Sequence, residues 1–315
     1  MTIYASGCDG IPADKCVRSS HMKALHNRTL AHVYAEYHGA GGVETDALRL
    51  GTLTHVVTLE PAEFDRRYKV APTASRASND GVDTLIAWYQ ATLAEFGIET
   101  PPVPDGKIAV RKAYLDTIEL MVPSSVTICD EAEFIEAAEI YAAVRSCPKA
   151  CEILTHPRLV TEQHVVWVDE SGEWCQGKID ILIPPDTDAN AFDGDPYPDG
   201  LVADLKTCKD GSPRGFRKAV DDGCLHWQAD FYQRAFAALY GHRPTFLWIA
   251  AEKTKPVKVA IYRATDRLTD LARLEYAPLL GTLSSAIQSN NWPGYSGEIV
   301  DIEPMEWKMR RLENE

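Results

Sequence analysis

The chain has 315 residues, of which 45% are hydrophobic and 25% charged, the composition of a globular protein large enough to bury a substantial core. Its 46 acidic and 32 basic side chains give a formal net charge of −14, which excludes indiscriminate attraction to nucleic acid. No apolar run approaches the ~18 residues of a membrane span, and the first residues lack the plan of a signal peptide. We therefore expect a cytoplasmic protein with no membrane partner and with reduced cysteines.

The first half of the chain carries the hydrophobic period of amphipathic helices. Five segments show it, and glycine or proline marks several of their ends, as at Gly39, Pro61 and Gly97. The predicted helices are 21–39, 47–60, 81–97, 107–122 and 131–146. They predict a mainly helical portion over residues 1–155.

The pattern changes near residue 160 to short apolar and β-branched runs, which are typical of strands. The predicted strands are 159–170, 174–183, 201–207, 245–251 and 257–264. A long helix, 214–241, follows the third strand, and a last helix covers 266–289. This order predicts one α/β domain over 1–315, in which a central mixed β-sheet flanked by helices occupies 156–264 and a C-terminal helix and tail occupy 265–315.

Three ionisable side chains on the second and third predicted strands could form a hydrolytic metal site. Asp180 lies in the segment GKID, and Asp204 and Lys206 lie in ADLK. Because residues two apart on a strand share a face, Asp204 and Lys206 are neighbours, and a hairpin could bring Asp180 beside them. Two carboxylates can hold Mg²⁺, and a lysine can assist an attacking water. The motif is short, so from the pattern alone a surface ion pair between Asp204 and Lys206 is the simpler interpretation.

The neighbours of Asp204 favour the catalytic interpretation. The other residues of the segment 201–205 are apolar and predict a buried strand. An unpaired carboxylate is costly there, and buried charges usually have a partner or a metal. Glu162, on the first predicted strand, could add a third carboxylate.

Several polar residues elsewhere allow a structural interpretation as well as a functional one. His55 points inward from its helix, as a core histidine or as a ligand. Gln228 and Tyr232 are four residues apart on the long helix and face one way, which fits packing as well as a site. The segment 184–200 predicts a loop that carries Asp186, Asp188, Asp193, Asp195 and Asp199. Their spacing misses the calcium-loop pattern, which favours a solvated acidic loop over a calcium site.

Taken together, these segments resemble the PD-(D/E)xK nuclease superfamily, and most closely the C-terminal nuclease domain of phage and prophage exodeoxyribonuclease VIII (RecE-type). The segment LRLGTLTHVVTLEPAEFDRRYKVAP, at 48–72, is similar to a motif of that family. The core strands and the long helix of that family have counterparts here in TEQHVVW, GKIDILI, VADLKTC and HWQADFY. The segment NNWPGYS also has a counterpart in the family. The likeness covers roughly residues 45–310.

The resemblance implies a restriction-endonuclease-like α/β core and a set of residue roles. The implied metal ligands are His55, Asp180, Asp204 and the main-chain carbonyl of Leu205. The implied catalytic residues are Lys206, Asp180 and Asp204, with Glu162, Gln228 and Tyr232 as further members of the site. The chain departs from the Pro-Asp pair in the superfamily's motif, because Ile179 rather than a proline precedes the first aspartate, Asp180. The long acidic insertion between the catalytic strands also leaves their pairing open.

The resemblance also implies an activity and partners. It implies a Mg²⁺-dependent exonuclease, with Mn²⁺ able to substitute, that digests double-stranded DNA ends 5′ to 3′ and leaves 3′ tails for phage-type recombination in a bacterial host. The implied partners are a single-strand annealing protein and further copies of the chain in a ring. Local DNA contacts would come from two basic clusters, Arg66, Arg67 and Lys69, and Arg214, Arg217 and Lys218. Some members of the superfamily hold an iron–sulfur cluster through cysteines that follow the catalytic lysine, close to the C-terminus. Because no cysteine follows Cys224 here, no such cluster is expected.

Three other functions stay open on the sequence. One is a different nuclease of the same fold, of the structure-specific, nicking or CRISPR-adaptation type. Another is a DNA-binding or assembly protein with a vestigial site, against which the complete set of Asp180, Asp204 and Lys206 argues. The third is a binding protein stabilised by calcium at the acidic loop.

Overall fold

The computed structural model describes residues 2–38, 45–186, 194–304 and 309. The predicted helix end at Gly39 and two loop aspartates, Asp188 and Asp193, lie outside these residues. No helix in the described part of the chain is long and apolar enough to cross a membrane.

Helices dominate the N-terminal half, as predicted. They are α1 (Ser19–Asn27), α2 (Leu30–Tyr37), α3 (Asp46–Leu59), α4 (Phe64–Arg67), α5 (Asn79–Glu95), α6 (Ile108–Glu119), α7 (Glu131–Ser146) and α8 (Pro148–Leu154). The later described residues add α9 (Pro213–Asp222), α10 (Leu225–Tyr240) and α11 (Asp266–Ser289).

The prediction of one helix over 21–39 is wrong. The first helix ends at Asn27, and Arg28 is extended, with a φ of −146°. Thr29 is also extended and forms the N-cap of α2, with its hydroxyl 2.7 Å from Nδ1 of His32. A threonine whose hydroxyl forms a hydrogen bond within the following first helical turn favours the start of a new helix over continuation of the preceding helix. The predicted long helix over 214–241 is likewise divided, into α9 and α10 at Gly223.

Within the part of the chain that the structure describes, six strands form the central sheet, in the order β1, β4, β5, β6, β7, β8. They are β1 (Thr2–Tyr4), β4 (Val160–Val168), β5 (Trp174–Ile183), β6 (Leu201–Cys208), β7 (Thr245–Glu252) and β8 (Val259–Arg263). Strand β1 runs parallel to β4 and β6 parallel to β7, while the other neighbours are antiparallel. The predicted central mixed sheet is therefore confirmed. Two short strands, β2 (Tyr68–Ala71) and β3 (Thr127–Asp130), form a separate parallel pair.

Helices cover both faces of the sheet. Alternate residues of β6 enter different cores: Val202 belongs to the core that contains Phe231 of α10, whereas Ala203 belongs to the core that contains Leu53 of α3. The second core also contains Ile140 of α7. The N-terminal helices α3 and α7 therefore supply one layer of the same core that holds the predicted catalytic strands.

A buried carboxylate anchors α10 against α11. Asp230 is fully buried and accepts hydrogen bonds from Arg234 Nε at 2.8 Å and from the Tyr276 hydroxyl at 2.5 Å. Arg243 provides a third contact. Because several donors hold this carboxylate, the helix that carries Gln228 and Tyr232 is fixed against its neighbours.

Candidate functional site

The site forms where two strands separate. Strands β5 and β6 pair only through Ile181–Ile183 and Leu201–Ala203, and Asp180 and Asp204 are the next residues beyond the last pair. The main-chain N–H of Leu205 donates to Asp180 Oδ2 over 3.1 Å. Asp180 is 7% exposed and Asp204 is fully buried. The end of the ladder therefore brings two carboxylates together in a largely dry environment.

Lys206 and Gln228 contact the deeper carboxylate. The Lys206 ammonium lies 2.8 Å from each oxygen of Asp204, and Gln228 Nε2 donates to Oδ1 at 2.8 Å. The ion pair between Asp204 and Lys206 is thus present, but it is not the surface pair of the simpler interpretation, because Asp204 is fully buried. The Lys206 side chain remains 25% exposed, so its ammonium links the buried carboxylate to the open cleft.

His55 reaches the strands from α3. Its Nε2 lies 2.7 Å from the main-chain oxygen of Leu205, so we place a proton on this nitrogen, which donates it to that oxygen. Its Nδ1 lies 3.5 Å from Asp180 Oδ2 and 3.7 Å from Glu162 Oε1. The sequence left open whether His55 is a core residue or a site residue. In the structure its side chain is directed at the carboxylates of Asp180 and Glu162.

Glu162 lies on β4 at the register position opposite Asp180. Its φ of 53° is left-handed, which is uncommon for a residue other than glycine. Such backbone strain persists where surrounding contacts maintain it, and it concentrates at functional sites. Here Lys178 contacts one carboxylate oxygen and His55 flanks the other.

These groups fit a divalent cation. His55, Glu162 and Asp180 each offer a ligand atom, and those atoms lie within 4.8 Å of one another. Carboxylate and carbonyl oxygens suit Mg²⁺ and Mn²⁺. Asp204 Oδ2 is buried close to the Lys206 ammonium but accepts no well-directed hydrogen bond from the described residues, so it retains a capacity to bind a cation. Metal binding by Asp204 and by the Leu205 carbonyl stays a prediction.

The electrostatics of the metal-free site favour bound protons. Burial, reinforced by the Asp204 carboxylate, raises the pKa of Asp180 to about 7. Burial by itself would lower the pKa of His55, but Asp180 and Glu162 outweigh it and the pKa is raised. Burial also opposes the charge of Lys206, yet Asp204 and Asp180 raise its pKa above the usual value. Protons on these groups thus supply positive charge that a cation would otherwise supply.

Metal binding should therefore release protons. Since a divalent cation competes for Asp180 and His55, we expect about one to two protons to leave per ion near neutral pH. Calorimetric titration with Mn²⁺ in two buffers of different ionisation enthalpy counts them. Identical binding enthalpies in the two buffers would contradict the assignment of these groups to the metal.

Tyr232 packs on β5 at a position without a side chain. A Cβ on Gly177 would lie 2.8 Å from Tyr232 Cε1, which is closer than carbon atoms pack. The tyrosine ring therefore rests directly on the strand. Since Gln228 lies one turn earlier on α10, this close approach also sets the distance from Gln228 to Asp204.

Adding a methyl group at Gly177 should therefore disturb the site. We expect Gly177→Ala to displace Tyr232 and to lower the free energy of unfolding by about 1–3 kcal/mol, the usual cost of overpacking. Gly51→Ala is the matched control, because its Cβ would meet Thr207 Oγ1 at an ordinary 3.5 Å. Inside α3 that alanine should stabilise by about 1 kcal/mol. Denaturant unfolding compares them, and a Gly177→Ala protein as stable as wild type would refute the close packing.

The acidic loop is held by ion pairs. Arg158 lies 2.9 Å from Asp186 and 2.7 Å from Asp195, and His156 Nε2 lies 3.1 Å from Asp195. These contacts occupy the carboxylates of Asp186 and Asp195 with cationic or hydrogen-bonding side chains of the protein. They speak against a calcium site at these two residues, but the prediction of a solvated loop fails for them, because the side chains of Asp186 and Asp195 are only 13% and 4% exposed.

The first of the two predicted basic clusters is neutralised. All three of its cations form ion pairs, namely Arg66 with Glu63, Arg67 with Glu60 and Lys69 with Glu95. In the second cluster, Lys218 pairs with Asp222. The sequence analysis missed a third group of cations, Arg18, Lys23 and Lys178, which borders a cavity beside Gln228. No sequence pattern links these residues, because they come from segments about 150 positions apart.

Comparisons with known proteins agree with this geometry. Residues 19–303 match the model of a family described as a PDDEXK-like domain of unknown function (DUF3799). The chain is also similar to the crystal structure of a protein from Eubacterium rectale described as a "putative exonuclease". The TM-score is 0.54 and the identity 12%, over 94% of this chain and 93% of the other, which shows a shared fold. No curated protein matches the sequence. These matches support the PD-(D/E)xK superfamily without singling out the exodeoxyribonuclease VIII type.

Proposed function

Since the chain belongs to the family of PDDEXK-like domains, we propose that it is a divalent-metal-dependent nuclease that digests double-stranded DNA from its ends. The observation that carries the proposal is the position of Lys206. Its ammonium lies on Asp204, beside the cleft in which Asp180, Glu162 and His55 converge. Metal-dependent phosphodiester hydrolysis uses a bound cation next to a proton-bearing group, and this arrangement offers a place for both.

Each residue has a distinct role in the proposed reaction. A divalent cation bound here supplies Lewis-acid chemistry, which neutralises phosphate charge and lowers the pKa of water. Asp180 and Glu162 offer oxygen ligands from neighbouring strands. Lys206 orients the attacking water and stabilises the negative charge that develops on the phosphate. Gln228 holds Asp204 in the orientation that keeps the lysine in place.

The finer parts of the proposal are the preference for DNA ends and the 5′ to 3′ direction. Both are supported by the sequence likeness to the exodeoxyribonuclease VIII type. The description of the structural relative as an exonuclease is consistent with the first. The same likeness is the basis for proposing Mg²⁺ as the ion, recombination as the process, an annealing protein as partner and a ring as the assembly.

Cleavage of defined DNA substrates tests the proposal. Linear duplexes labelled at the 5′ or the 3′ end, and a covalently closed circle, are incubated with Mg²⁺, Mn²⁺, Ca²⁺ or EDTA. We expect rapid release of the 5′ label with Mg²⁺ or Mn²⁺, an intact circle, and no cleavage in EDTA. Ca²⁺ should fail, because its longer and looser coordination misplaces water and phosphate.

Two results would overturn parts of the proposal. Cleavage of the closed circle at the rate of the linear DNA would replace the exonuclease by an endonuclease. An absence of cleavage with Mn²⁺ on every substrate would remove the nuclease function itself.

A further inference from the structure

A cavity of about 460 Å³ opens beside the proposed catalytic site. Its wall includes Arg18 at the N-cap of α1, Lys23 in the middle of that helix, Lys178 on β5, and Gln228 and Tyr232 on α10. Among the described residues that line it there is no aspartate or glutamate. In a chain with a net charge of −14, three cations around a cavity without a lining carboxylate make a local positive region.

Lys23 lacks a counter-ion in this wall. Its ammonium forms no hydrogen bond or ion pair with a residue in the described ranges, whereas Lys178 contacts Glu162, and His164 pairs with Gln176 at 2.8 Å. Burial, and after it the nearby Lys206 ammonium, lower the pKa of Lys23 to about 8, against the opposing effect of Asp204. A partly buried cation next to another cation is unfavourable unless an anion joins them.

We propose that this cavity binds a phosphate group of the DNA strand, next to the phosphate that is cut, with Lys23 as its main contact. The inference rests on the proposed nuclease function. The cavity adjoins Gln228, which contacts Asp204. When one phosphate of a DNA strand lies near Lys206, the neighbouring phosphate of that strand therefore lies near Lys23. Ser19 and Ser20 add the N-terminal end of α1, whose partial positive charge favours an anion.

Variants of Lys23 test the proposal through DNA binding. Fluorescence anisotropy measures the affinity of the full chain for a labelled duplex in EDTA, across a range of salt. We expect Lys23→Met to bind about tenfold more weakly and its salt dependence to fall by about one phosphate contact. Lys23→Arg should restore binding because it restores the charge. Lys258→Met, at an exposed lysine beside the opposite edge strand, is the matched control and should bind as wild type does.

A second variant keeps the proposal testable if Lys23→Met is unstable. Ser20 is exposed in the first turn of α1, where a negative charge favours the helix. Ser20→Asp should therefore melt at or above the wild-type temperature and yet bind DNA several-fold more weakly. Wild-type affinity in both Lys23→Met and Ser20→Asp would overturn the proposal.

Duplexes with 5′-phosphate or 5′-hydroxyl ends distinguish the two sources of the phosphate. If Lys23→Met loses affinity only for the phosphorylated end, the cavity takes a terminal phosphate. An equal loss for both ends identifies an internal phosphodiester. Cleavage with Mn²⁺ separates this inference from the nuclease proposal: a wild type that binds through Lys23 but never cuts refutes only the nuclease, whereas a wild type that cuts while both variants bind normally refutes only the cavity.

Discussion

Replacing Lys206 with methionine is expected to lower the rate of DNA cleavage by about 100- to 1,000-fold, the usual effect of removing one donor that stabilises developing charge. Affinity for DNA in EDTA should change little, because the loss falls on the transition state. Lys206→Arg should also fail, although it keeps the charge beside Asp204. A guanidinium is larger and planar and directs its donors in a fixed fork, so it cannot place a compact positive charge where the ammonium places it beside the attacking water. Rates on a 5′-labelled duplex measure both effects.

Stability needs a separate control in this experiment. Lys206→Met leaves Asp204 buried without its cation, which can cost about 3–5 kcal/mol. Lys255 is a matched lysine in an exposed ion pair, with Glu139 at 2.7 Å, and Lys255→Met should cost less than about 1 kcal/mol and leave cleavage unchanged. Near-normal cleavage by folded Lys206→Met would show that the Asp204–Lys206 pair is structural.

Replacing Asp180 with asparagine is expected to abolish the response to metal and to stabilise the metal-free protein at pH 8. The pKa of Asp180 rises from 3.8 to about 7 through burial and the nearby Asp204 carboxylate. The unfolded chain ionises first, so the wild type should lose stability as the pH rises from about 4 to about 7. A difference of about three pKa units corresponds to a loss of unfolding free energy on the order of 4 kcal/mol, and Asp180→Asn avoids this loss.

Thermal melts at pH 5 and pH 8, with EDTA or Mn²⁺, measure both parts of this prediction. Wild type should gain about 2.7 kcal/mol at a hundredfold excess of metal over its Kd, and the variant should gain almost nothing. Asp169→Asn is a control for which the expected change in stability at pH 8 has the opposite sign. Burial would raise the pKa of Asp169, but Ser171 and Arg273 outweigh it and lower the pKa, so this variant should be less stable at pH 8. A metal response in Asp180→Asn equal to that of wild type would remove Asp180 from the metal site.

Local patterns in the sequence were sufficient for most of the sheet and for Asp180, Asp204 and Lys206 as candidate catalytic residues. The period of two placed Asp204 and Lys206 on one face, and apolar neighbours indicated that their strand is buried. Five of the six strands of the sheet were predicted, because hydrophobic periodicity depends only on nearby residues. Strand β1 was missed, since Thr2–Tyr4 is too short to show a period. The break at Arg28 was missed because a single cap residue outweighed a continuous helical pattern.

The sequence by itself therefore determined the fold class and the candidate catalytic residues, whereas the tertiary structure decided how these residues meet. Only the separation of β5 and β6 brings Asp180 to Asp204, and only the packing of α3 directs His55 at them. Contacts between distant segments also decide the left-handed backbone of Glu162, the ion pairs that neutralise Arg66 and its neighbours, and the position of Lys23 near Lys206. Periodicity is a property of neighbours along the chain, but the electrostatic environment of a side chain is set by groups that approach it through space, and these are fixed only when the layers pack.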